Sequence, residues 1–309
     1  METAFLGLDT SNYTSSVSLL WKNEFKQERS LLNVDDGQLG LRQSDAVFSH
    51  VKNLGELTRK LLKDEKTAIK GIGVSVSPRD CVESYMPCFL VGKMVGEALS
   101  AALDVPLYTF SHQAGHIAAA LFSAGGEELF NKKFIAFHVS GGTTECVFVN
   151  NLIKKDIRLI CSSNDLNGGQ LIDRCAAMLG IPFPGGKGLD ALSLNSTKSF
   201  KNKISFKDGN PCLSGIENQC QSKFKKEEEP CDIAKFCLDS LGSAILGMIE
   251  YAKSQIDCDT FVFSGGVMSN TILRKVISEN CNAVFGTREL SADNSVGIAK
   301  LAEISFIRA

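Results

Sequence analysis

The chain has 309 residues, with 33 Lys and Arg, 35 Asp and Glu, and a formal net charge of −2. Its length suggests about two domains, and its 44% hydrophobic and 22% charged residues are typical of a globular protein. This composition excludes wholesale disorder and a collagen-like structure. The net charge excludes a nucleic-acid binder that relies on bulk positive charge, but it is compatible with a local basic patch.

No apolar segment approaches the roughly 20 residues that a membrane helix requires, and the first residues lack the basic and apolar regions of a secretory signal. We therefore expect a cytoplasmic protein with reduced thiols. The eleven cysteines are scattered and include no C-x-x-C pair. We accordingly expect many of them to be buried as small hydrophobic residues, and we expect no structural zinc site.

The chain contains an internal echo. Residues 5–20 have the pattern of a strand, a polar turn and a second strand, and residues 135–149 repeat it, with Ser11 aligned to Ser140. Any two β-hairpins share some of this pattern. A self-similarity of this length nevertheless favours a duplicated domain.

Strand-like and helix-like segments alternate along the chain, which indicates an α/β fold. The echo divides it into an N-terminal lobe, residues 1–128, and a C-terminal lobe, residues 129–309, whose last helix is free to pack back on the first lobe. The predicted elements are a helix over 44–62, a strand over 69–76, a helix over 87–102, a strand over 107–110, a helix over 111–122, a strand over 261–264, a helix opening at 271–277 and a final helix over 294–304 that Ser291 or Asp293 caps.

Residues 195–232 are polar and rich in lysine, unlike the segments around them. We interpret them as a solvated insertion in the C-terminal lobe. The alternative is that its lysines contact phosphate groups. Those lysines are Lys198, Lys201, Lys203 and Lys207.

His112 and His116 are four residues apart in a predicted helix, so both imidazoles lie on one helix face. Two neutral nitrogens placed in this way bind a transition metal. The alternative is two unrelated histidines near a helix start. Gln113 stands where a zinc peptidase has its catalytic glutamate, so the pattern supports peptide hydrolysis poorly.

Three glycine-rich turns follow predicted strands, at residues 140–143, 184–186 and 264–270. Such turns let backbone N–H groups approach phosphate oxygens, although a single Gly-Gly is usually just a turn. Three of them favour a nucleotide held between two lobes. Asp173 is a candidate to accept hydrogen bonds from a ribose, and its alternative role is a solvated acid on a helix face.

A series of motifs in matching order along nearly the whole chain resembles the TsaD family, the tRNA N6-adenosine threonylcarbamoyltransferases, also described as glycoprotease or O-sialoglycoprotein endopeptidase-like proteins. The motifs are Leu8-Asp9-Thr10-Ser11, Leu90-Val91-Gly92, His112-Gln113-Ala114-Gly115-His116, His138-Val139-Ser140-Gly141-Gly142, Asp173 with Pro184-Gly185-Gly186, Ser264-Gly265-Gly266-Val267-Met268-Ser269-Asn270, and Asp293-Asn294.

The resemblance implies an actin-like ATPase (ASKHA) fold with two duplicated RNase H-like lobes, the first of which carries the metal-ligand helix. It adds Asp293 to His112 and His116 as the third ligand of one divalent metal, iron or zinc. It also implies a site for ATP or an adenylate-type ligand. The implied nucleotide-binding residues are His138, Val139, Ser140, Gly141, Gly142, Asp173, Gly186 and Asn270.

The implied reaction transfers a threonylcarbamoyl group from threonylcarbamoyl-adenylate to N6 of adenosine 37 of tRNA, with partner subunits of a threonylcarbamoyl complex. The chain also departs from the family pattern, because Tyr13 and Thr14 replace two acids, Ala114 and Gln170 replace glutamates, and Thr143 replaces a histidine. These losses favour a diverged paralogue. The alternatives are a non-catalytic, nucleotide- and metal-binding partner of an orthodox member, or another actin-like enzyme such as a carbamoyltransferase or a small-molecule kinase.

Overall fold

The protein was analysed as a computed structural model, which describes residues 2–32, 41–63, 67–81 and 83–309. The described residues form strands and helices that alternate along the chain, as predicted. The strands are β1 (Thr3–Ser11), β2 (Thr14–Trp21), β3 (Glu24–Leu31), β4 (Ala68–Ser77), β5 (Leu107–Ser111), β6 (Phe134–Val139), β7 (Thr144–Asn151), β8 (Asp156–Ser162), β9 (Phe206–Lys207), β10 (Asn210–Pro211), β11 (Thr260–Ser264) and β12 (Asn282–Phe285).

The helices account for most of the remaining described chain, and short 3-10 turns lie at Glu127–Asn131 and Gly266–Ser269. The α-helices are α1 (Gln43–Leu62), α2 (Phe89–Leu103), α3 (His112–Ser123), α4 (Gly168–Met178), α5 (Gly186–Ser193), α6 (Ser214–Lys225), α7 (Pro230–Gln255), α8 (Thr271–Ser278) and α9 (Val296–Ile307).

The chain divides into two compact units. The first comprises Met1–Asn131, Asn151–Asp156 and Glu289–Ala309, and the second comprises Lys132–Asn150 and Ile157–Arg288. This division differs from a single boundary near residue 128, because the C-terminal segment that contains α9 belongs to the first unit.

Each unit is built on one five-stranded sheet. The first sheet has the order β3-β2-β1-β4-β5, in which β1 runs antiparallel to β2 and parallel to β4. The second has the order β8-β7-β6-β11-β12, in which β6 runs antiparallel to β7 and parallel to β11. The two sheets therefore share one strand order, with the β1–β2 and β6–β7 hairpins in equivalent places. This confirms the predicted α/β fold with duplicated RNase H-like lobes.

In the first unit, the two faces of the sheet have different packing. Leu6 and Leu8 of β1 form a buried cluster with Leu54 of α1 and Val91 of α2. Gly73 of β4 faces α9 instead, and a Cβ there would lie 2.5 Å from the carbonyl oxygen of Ile298. The sheet thus has α1 and α2 on one face, and the absence of a side chain at Gly73 lets the backbone of α9 pack directly on the other face.

The helices α3 and α9 also meet backbone to backbone. A Cβ on Gly297 of α9 would lie 1.9 Å from the carbonyl oxygen of Gly115 and 2.7 Å from the backbone nitrogen of Ala119, both on α3. A contact this close leaves no room for a methyl group. It fixes the start of α9 beside the helix that carries the two predicted metal-binding histidines.

In the second unit, the long helix α7 forms the centre of the core. Its side chains Leu241, Ile245 and Met248 are buried in one cluster with Phe137 of β6 and Phe263 of β11. The rings of these two phenylalanines stack with their centroids 5.0 Å apart. The core therefore joins the two central strands to α7, and it holds in place the turns that follow those strands.

The structure corrects part of the interpretation of residues 195–232. Leu213, Ile216 and Cys220, three and four residues apart, are buried in the core of the second unit where α6 packs on α7. The prediction of a solvated insertion is therefore wrong for this segment. The helical spacing of its apolar residues was hard to detect in the sequence, because lysines and glutamates surround them. Lys198 forms an ion pair with Asp232 at 2.5 Å, whereas Lys201, Lys203 and Lys207 are exposed.

The cap of the final helix also differs from the prediction. Asn294 Oδ1 accepts hydrogen bonds from the backbone N–H groups of Val296, at 3.0 Å, and Gly297, at 3.4 Å. Asn294 therefore has the capping role that was expected of Ser291 or Asp293. The carboxylate of Asp293 points elsewhere, toward α3.

None of the helices in the described ranges is long and apolar enough to span a bilayer.

Replacement of Gly297 by alanine tests the contact between α3 and α9. The added methyl group overlaps backbone atoms that cannot move independently, so we expect Gly297→Ala to lower the stability of the protein by about 1–3 kcal/mol. The matched control is Gly55→Ala in α1, where a Cβ meets no heavy atom within 4 Å; we expect that variant to be more stable by up to about 1 kcal/mol. Urea denaturation checks both, and equal midpoints for the two variants would contradict the packing described here.

Candidate functional site

The two histidines of the predicted metal site lie at the start of α3. The hydroxyl of Ser111 accepts a hydrogen bond from the backbone N–H of Ala114 at 3.0 Å, so the helix begins at His112. His112 and His116 are then one turn apart, with their Nε2 atoms at 3.0 Å. The histidines follow β5, whose carboxyl end lies at the same edge of the sheet as the carboxyl end of β1.

Asp293 brings a carboxylate to the same place from the loop before α9. Its Oδ1 atom lies 3.3 Å from Nε2 of His116 and 3.6 Å from Nε2 of His112. His116 is buried, while His112 and Asp293 retain 19% and 33% of their side-chain exposure, respectively. The three ligand atoms thus form a triangle that is closed on the protein side and accessible from outside.

The geometry fits a metal ion. Two nitrogen or oxygen ligands about 2.1 Å from an ion are separated by about 3.0–3.4 Å when the angle between them is 90–110°. The observed ligand separations of 3.0 and 3.3 Å lie within this range, and the third, 3.6 Å between His112 and Asp293, is slightly longer. Two imidazoles and one carboxylate on one side of an ion are a donor set that suits divalent iron or zinc and leaves coordination positions open.

Asp9 fixes the orientation of His112. Its Oδ2 atom lies 2.7 Å from Nδ1 of His112, and its Oδ1 atom accepts a hydrogen bond from the backbone N–H of Ser11 at 2.8 Å. Asp9 is 1% exposed. A carboxylate on Nδ1 keeps the proton on that nitrogen and leaves Nε2 with a lone pair directed at the metal position.

Hydroxyl groups hold the far oxygen of Asp293. Thr14 donates to Oδ2 at 3.2 Å and Ser11 donates to it at 3.4 Å. Oδ1 remains directed at the histidines. Thr14 occupies a position where the family pattern has an acid, and a second carboxylate this close to Asp293 would repel it. Thr14, in place of an acid, therefore removes a repulsive charge and gives the Asp293 carboxylate a hydrogen-bond donor.

The charges of the cluster are strongly coupled. Burial disfavours a charged His112, but the carboxylates of Asp9 and Asp293 outweigh it and raise the pKa of His112 to about 10. Burial also disfavours a charged Asp293, yet hydrogen bonds from His112 and His116 hold the pKa of Asp293 well below its usual range. A metal ion bound here must displace the proton of His112, so its affinity rises with pH.

The residues predicted to bind a nucleotide all belong to the second unit. His138 and Val139 end β6, and Nδ1 of His138 lies 3.1 Å from the hydroxyl of Ser264, which ends β11. Loops at the carboxyl ends of neighbouring parallel strands are where α/β sheets bind ligands. The residues that complete this turn are Ser140, Gly141 and Gly142.

Some of the backbone N–H groups in the turn after β6 already form hydrogen bonds within the protein. The hydroxyl of Ser140 accepts hydrogen bonds from the backbone N–H groups of Gly142, at 3.3 Å, and Thr143, at 3.1 Å. The backbone N–H of Gly169, in α4, donates to the carbonyl of Ser140 at 2.9 Å. A Cβ on Gly141 would meet nothing within 4 Å, so this side of the turn is open to a ligand.

Asp173 and Gly186 form a second part of this region. Oδ1 of Asp173 in α4 accepts a hydrogen bond from the backbone N–H of Gly185 at 2.9 Å, immediately before Gly186 begins α5. Asp173 therefore positions the start of α5.

Asn270 has a structural role that the sequence did not indicate. Its Oδ1 atom accepts hydrogen bonds from the backbone N–H groups of Ile272 and Leu273, at 3.0 and 3.1 Å, and so caps α8. It is 8% exposed. Loss of ligand binding in an Asn270 variant would therefore also reflect a weakened helix.

The sequence did not reveal the roles of Asp9, Ser11 and Thr14 around the metal position. In the sequence, Asp9 and Ser11 belong to a family motif and Thr14 to a departure from the family pattern, and neither observation connects them to His112 or Asp293. The available signal was their place at the carboxyl end of the first strand, where polar side chains interrupt an apolar run.

Solved structures of low sequence identity share the fold. The chain superimposes on HypF in its phosphate- and nucleotide-bound form with a TM-score of 0.62 and 13% identity, over 99% of this chain and 46% of that protein. It superimposes on component A of (R)-2-hydroxyglutaryl-CoA dehydratase from Acidaminococcus fermentans with a TM-score of 0.57 and 18% identity, over 99% of both chains. With its duplicated sheets, the protein has the actin-like ATPase fold, as predicted.

Sequence comparison defines the family. The profile of TsaD, described as tRNA N6-adenosine threonylcarbamoyltransferase, matches residues 39–300, and the chain belongs to this family. A tRNA N6-adenosine threonylcarbamoyltransferase from Mycoplasma capricolum subsp. capricolum is 26% identical over 314 aligned positions, which cover 96% of both chains.

Replacement of Asp9 tests its support of the site. Asp9→Asn keeps the shape of the side chain but removes the charge that orients His112, so we expect the affinity for Mn²⁺ to fall about 10–100-fold. The loss of the electron paramagnetic resonance signal of free Mn²⁺ measures binding, and this ion prefers nitrogen and oxygen ligands to thiolates. Asp45→Asn, at an exposed position of α1, is the matched control and should bind like wild type. Equal affinities of all three proteins would refute the role of Asp9.

Proposed function

We propose that this protein transfers a threonylcarbamoyl group from threonylcarbamoyl-adenylate to N6 of adenosine 37 of tRNA, and that His112, His116 and Asp293 hold the metal ion that this reaction uses. The observation that carries the proposal is the convergence of these three side chains, with Asp9 behind them, in a member of the TsaD family. The family match supports the reaction, and the geometry supports the choice of these residues.

The chemistry of the transfer is an acyl-type substitution. The N6 amine of adenosine attacks the carbonyl carbon of the threonylcarbamoyl group, the bond from that carbon to the phosphate oxygen breaks, and AMP leaves as the amine loses a proton. A divalent ion, iron or zinc, would act as a Lewis acid that polarises an oxygen of the donor. The exposed side of the ligand triangle is where the donor would bind.

The residues of the chain have distinct roles in this proposal. Asp9 holds the proton of His112 on Nδ1, so that Nε2 stays available as a ligand. Ser11 and Thr14 hold Oδ2 of Asp293, so that Oδ1 stays directed at the histidines. His112 and Asp293 are thereby fixed by hydrogen bonds before any ion binds, which lowers the entropy that is lost on binding.

The adenylate, or ATP, would bind to the residues of the second unit that follow β6 and β11. The open side of Gly141 permits close approach of a phosphate, and Oδ2 of Asp173 is suited to a ribose hydroxyl. His138, Val139, Ser140, Gly142, Gly186 and Asn270 complete this proposed nucleotide site.

The proposal includes tRNA and threonylcarbamoyl-adenylate as substrates, and partner subunits of a threonylcarbamoyl complex as the proteins that make and deliver the adenylate. With tRNA as the acceptor, we propose that the protein acts in the cytoplasm. Thr14, which donates to Asp293, is neutral where the family pattern has an acid, so the metal site is less negative than that pattern would make it, which favours the approach of anionic substrates.

A transfer assay tests the proposal. We expect the full chain, incubated with threonylcarbamoyl-adenylate, unmodified tRNA and a divalent ion, to produce the modified nucleoside, which mass spectrometry detects. His116→Ala removes a metal ligand, and because metal-ion catalysis is worth several kcal/mol we expect the rate to fall at least about 100-fold. Ser123→Ala, in the last turn of the same helix, is the control and should keep the wild-type rate.

Ligand binding without transfer would contradict the proposal. If wild-type protein binds Mn²⁺ and the adenylate but forms no modified nucleoside, while an orthodox family member does so in parallel, the chain is the non-catalytic paralogue rather than a transferase.

A further inference from the structure

Three cysteines converge in the core of the second unit, outside the sites described above. Cys175 comes from α4, Cys220 from α6 and Cys237 from α7. Their Sγ atoms all lie within 4.8 Å of one another. Each is at most 2% exposed, and each is a free thiol. We call these three residues the thiol cluster.

Burial alone does not make a site, because free cysteine commonly packs as a small hydrophobic residue. Two further features distinguish the thiol cluster. Its members come from three separate helices, and their Sγ atoms all lie within 4.8 Å of one another. Cys175 and Cys220 also line a cavity of about 260 Å³, together with Met178 and Glu217. A small ion that enters this cavity reaches the side of the cluster that Cys175 and Cys220 form.

The spacing of the sulfur atoms suits a metal ion bound by thiolates. A Zn²⁺–S bond is about 2.3 Å long, so three thiolates around one ion are about 3.8–4.0 Å apart. Separations of up to 4.8 Å reach this value when the side chains move by less than about 1 Å. The helices need not rearrange, because small rotations of the cysteine side chains bring the sulfurs together.

The cavity beside the thiol cluster carries positive charge. Lys225 and Arg174 line the same cavity, and Arg174 pairs with Glu217 at 3.1 Å. The cluster therefore has positive charge nearby to balance thiolates, and Met178 adds a thioether of matching softness.

We propose that Cys175, Cys220 and Cys237 form a second metal site, which binds one thiophilic d10 ion through three sulfur ligands. Zn²⁺ is the ion we expect, and Cu⁺ shares the same ligand chemistry. The ion comes from solution through the cavity, each protonated thiol releases its proton to the solvent, and no electron is transferred. Bound there, the ion would join α4, α6 and α7 and so stabilise the second unit.

This proposal differs from the expectation that the protein lacks a structural zinc site. That expectation came from the absence of a C-x-x-C pair. The three cysteines are 45 and 17 residues apart along the chain, and only the packing of three helices brings them together.

Titration of the reduced, metal-free full chain with Co²⁺ tests the proposal, because thiolate ligands give a sulfur-to-cobalt charge-transfer band that imidazole and carboxylate ligands do not. We expect this band to saturate at one equivalent and to disappear when Zn²⁺ is added. It should persist in His112→Ala, in which the site of the first unit is disrupted. Cys146→Ser, a buried cysteine of the same unit outside the cluster, should also retain it.

Cys237→Ser and Cys220→Ser should each lose the band while circular dichroism shows a folded chain, and the second variant serves if the first does not fold. Absence of the band in folded wild-type protein would overturn the proposal. Its survival in a folded cluster variant would overturn it as well, since the sulfur ligands would then lie elsewhere.

Discussion

The close packing of α9 against α3 and the first sheet brings the three candidate metal ligands together. Asp293 is separated from His112 by 181 positions along the chain, and their ligand atoms meet at 3.6 Å because glycines let the backbones of three elements touch. Gly73 admits α9 onto the sheet, and Gly115 with Gly297 admits it onto α3. A side chain at Gly73 or Gly297 would overlap backbone atoms of the neighbouring helix.

Charge pairing and hydrogen bonds then fix the orientation of the side chains that the helix packing brings together. Asp9 and Asp293 lie on either side of His112, so the cluster contains two carboxylates and two imidazoles in a largely buried setting. Burial of so many ionisable groups costs free energy unless each is paired. The hydrogen bonds from Ser11 and Thr14 to Asp293 meet part of this cost. A divalent cation would neutralise the carboxylates more completely than the single proton of His112, which explains why such a cluster suits metal binding.

Much of the fold could be predicted from the sequence, because local periodicity indicates the helices and strands and a repeated pattern indicates the duplication. Helical spacing identified α1 and the pair His112 and His116, and the echo between β1–β2 and β6–β7 indicated the duplication. The place of Asp293 came from family resemblance rather than from spacing, since nothing local connects it to α3.

Other features could not be predicted because they depend on tertiary contacts. Asp9 was visible as a residue of a polar turn, but its bond to Nδ1 of His112 depends on the neighbouring strands of the sheet. The thiol cluster depends on three helices meeting. Lysines and glutamates hid the apolar spacing of Leu213, Ile216 and Cys220 in a segment that looked solvated. In each case the sequence shows the residue type, and the partner becomes evident only in the fold.

The most direct test of the metal site is anomalous diffraction from crystals of the full chain grown with Mn²⁺, recorded near the manganese absorption edge. We expect an anomalous peak bounded by Nε2 of His112, Nε2 of His116 and Oδ1 of Asp293, with Asp9 still hydrogen-bonded to His112. Crystals with no peak at that position, despite Mn²⁺ bound elsewhere in the protein, would contradict it.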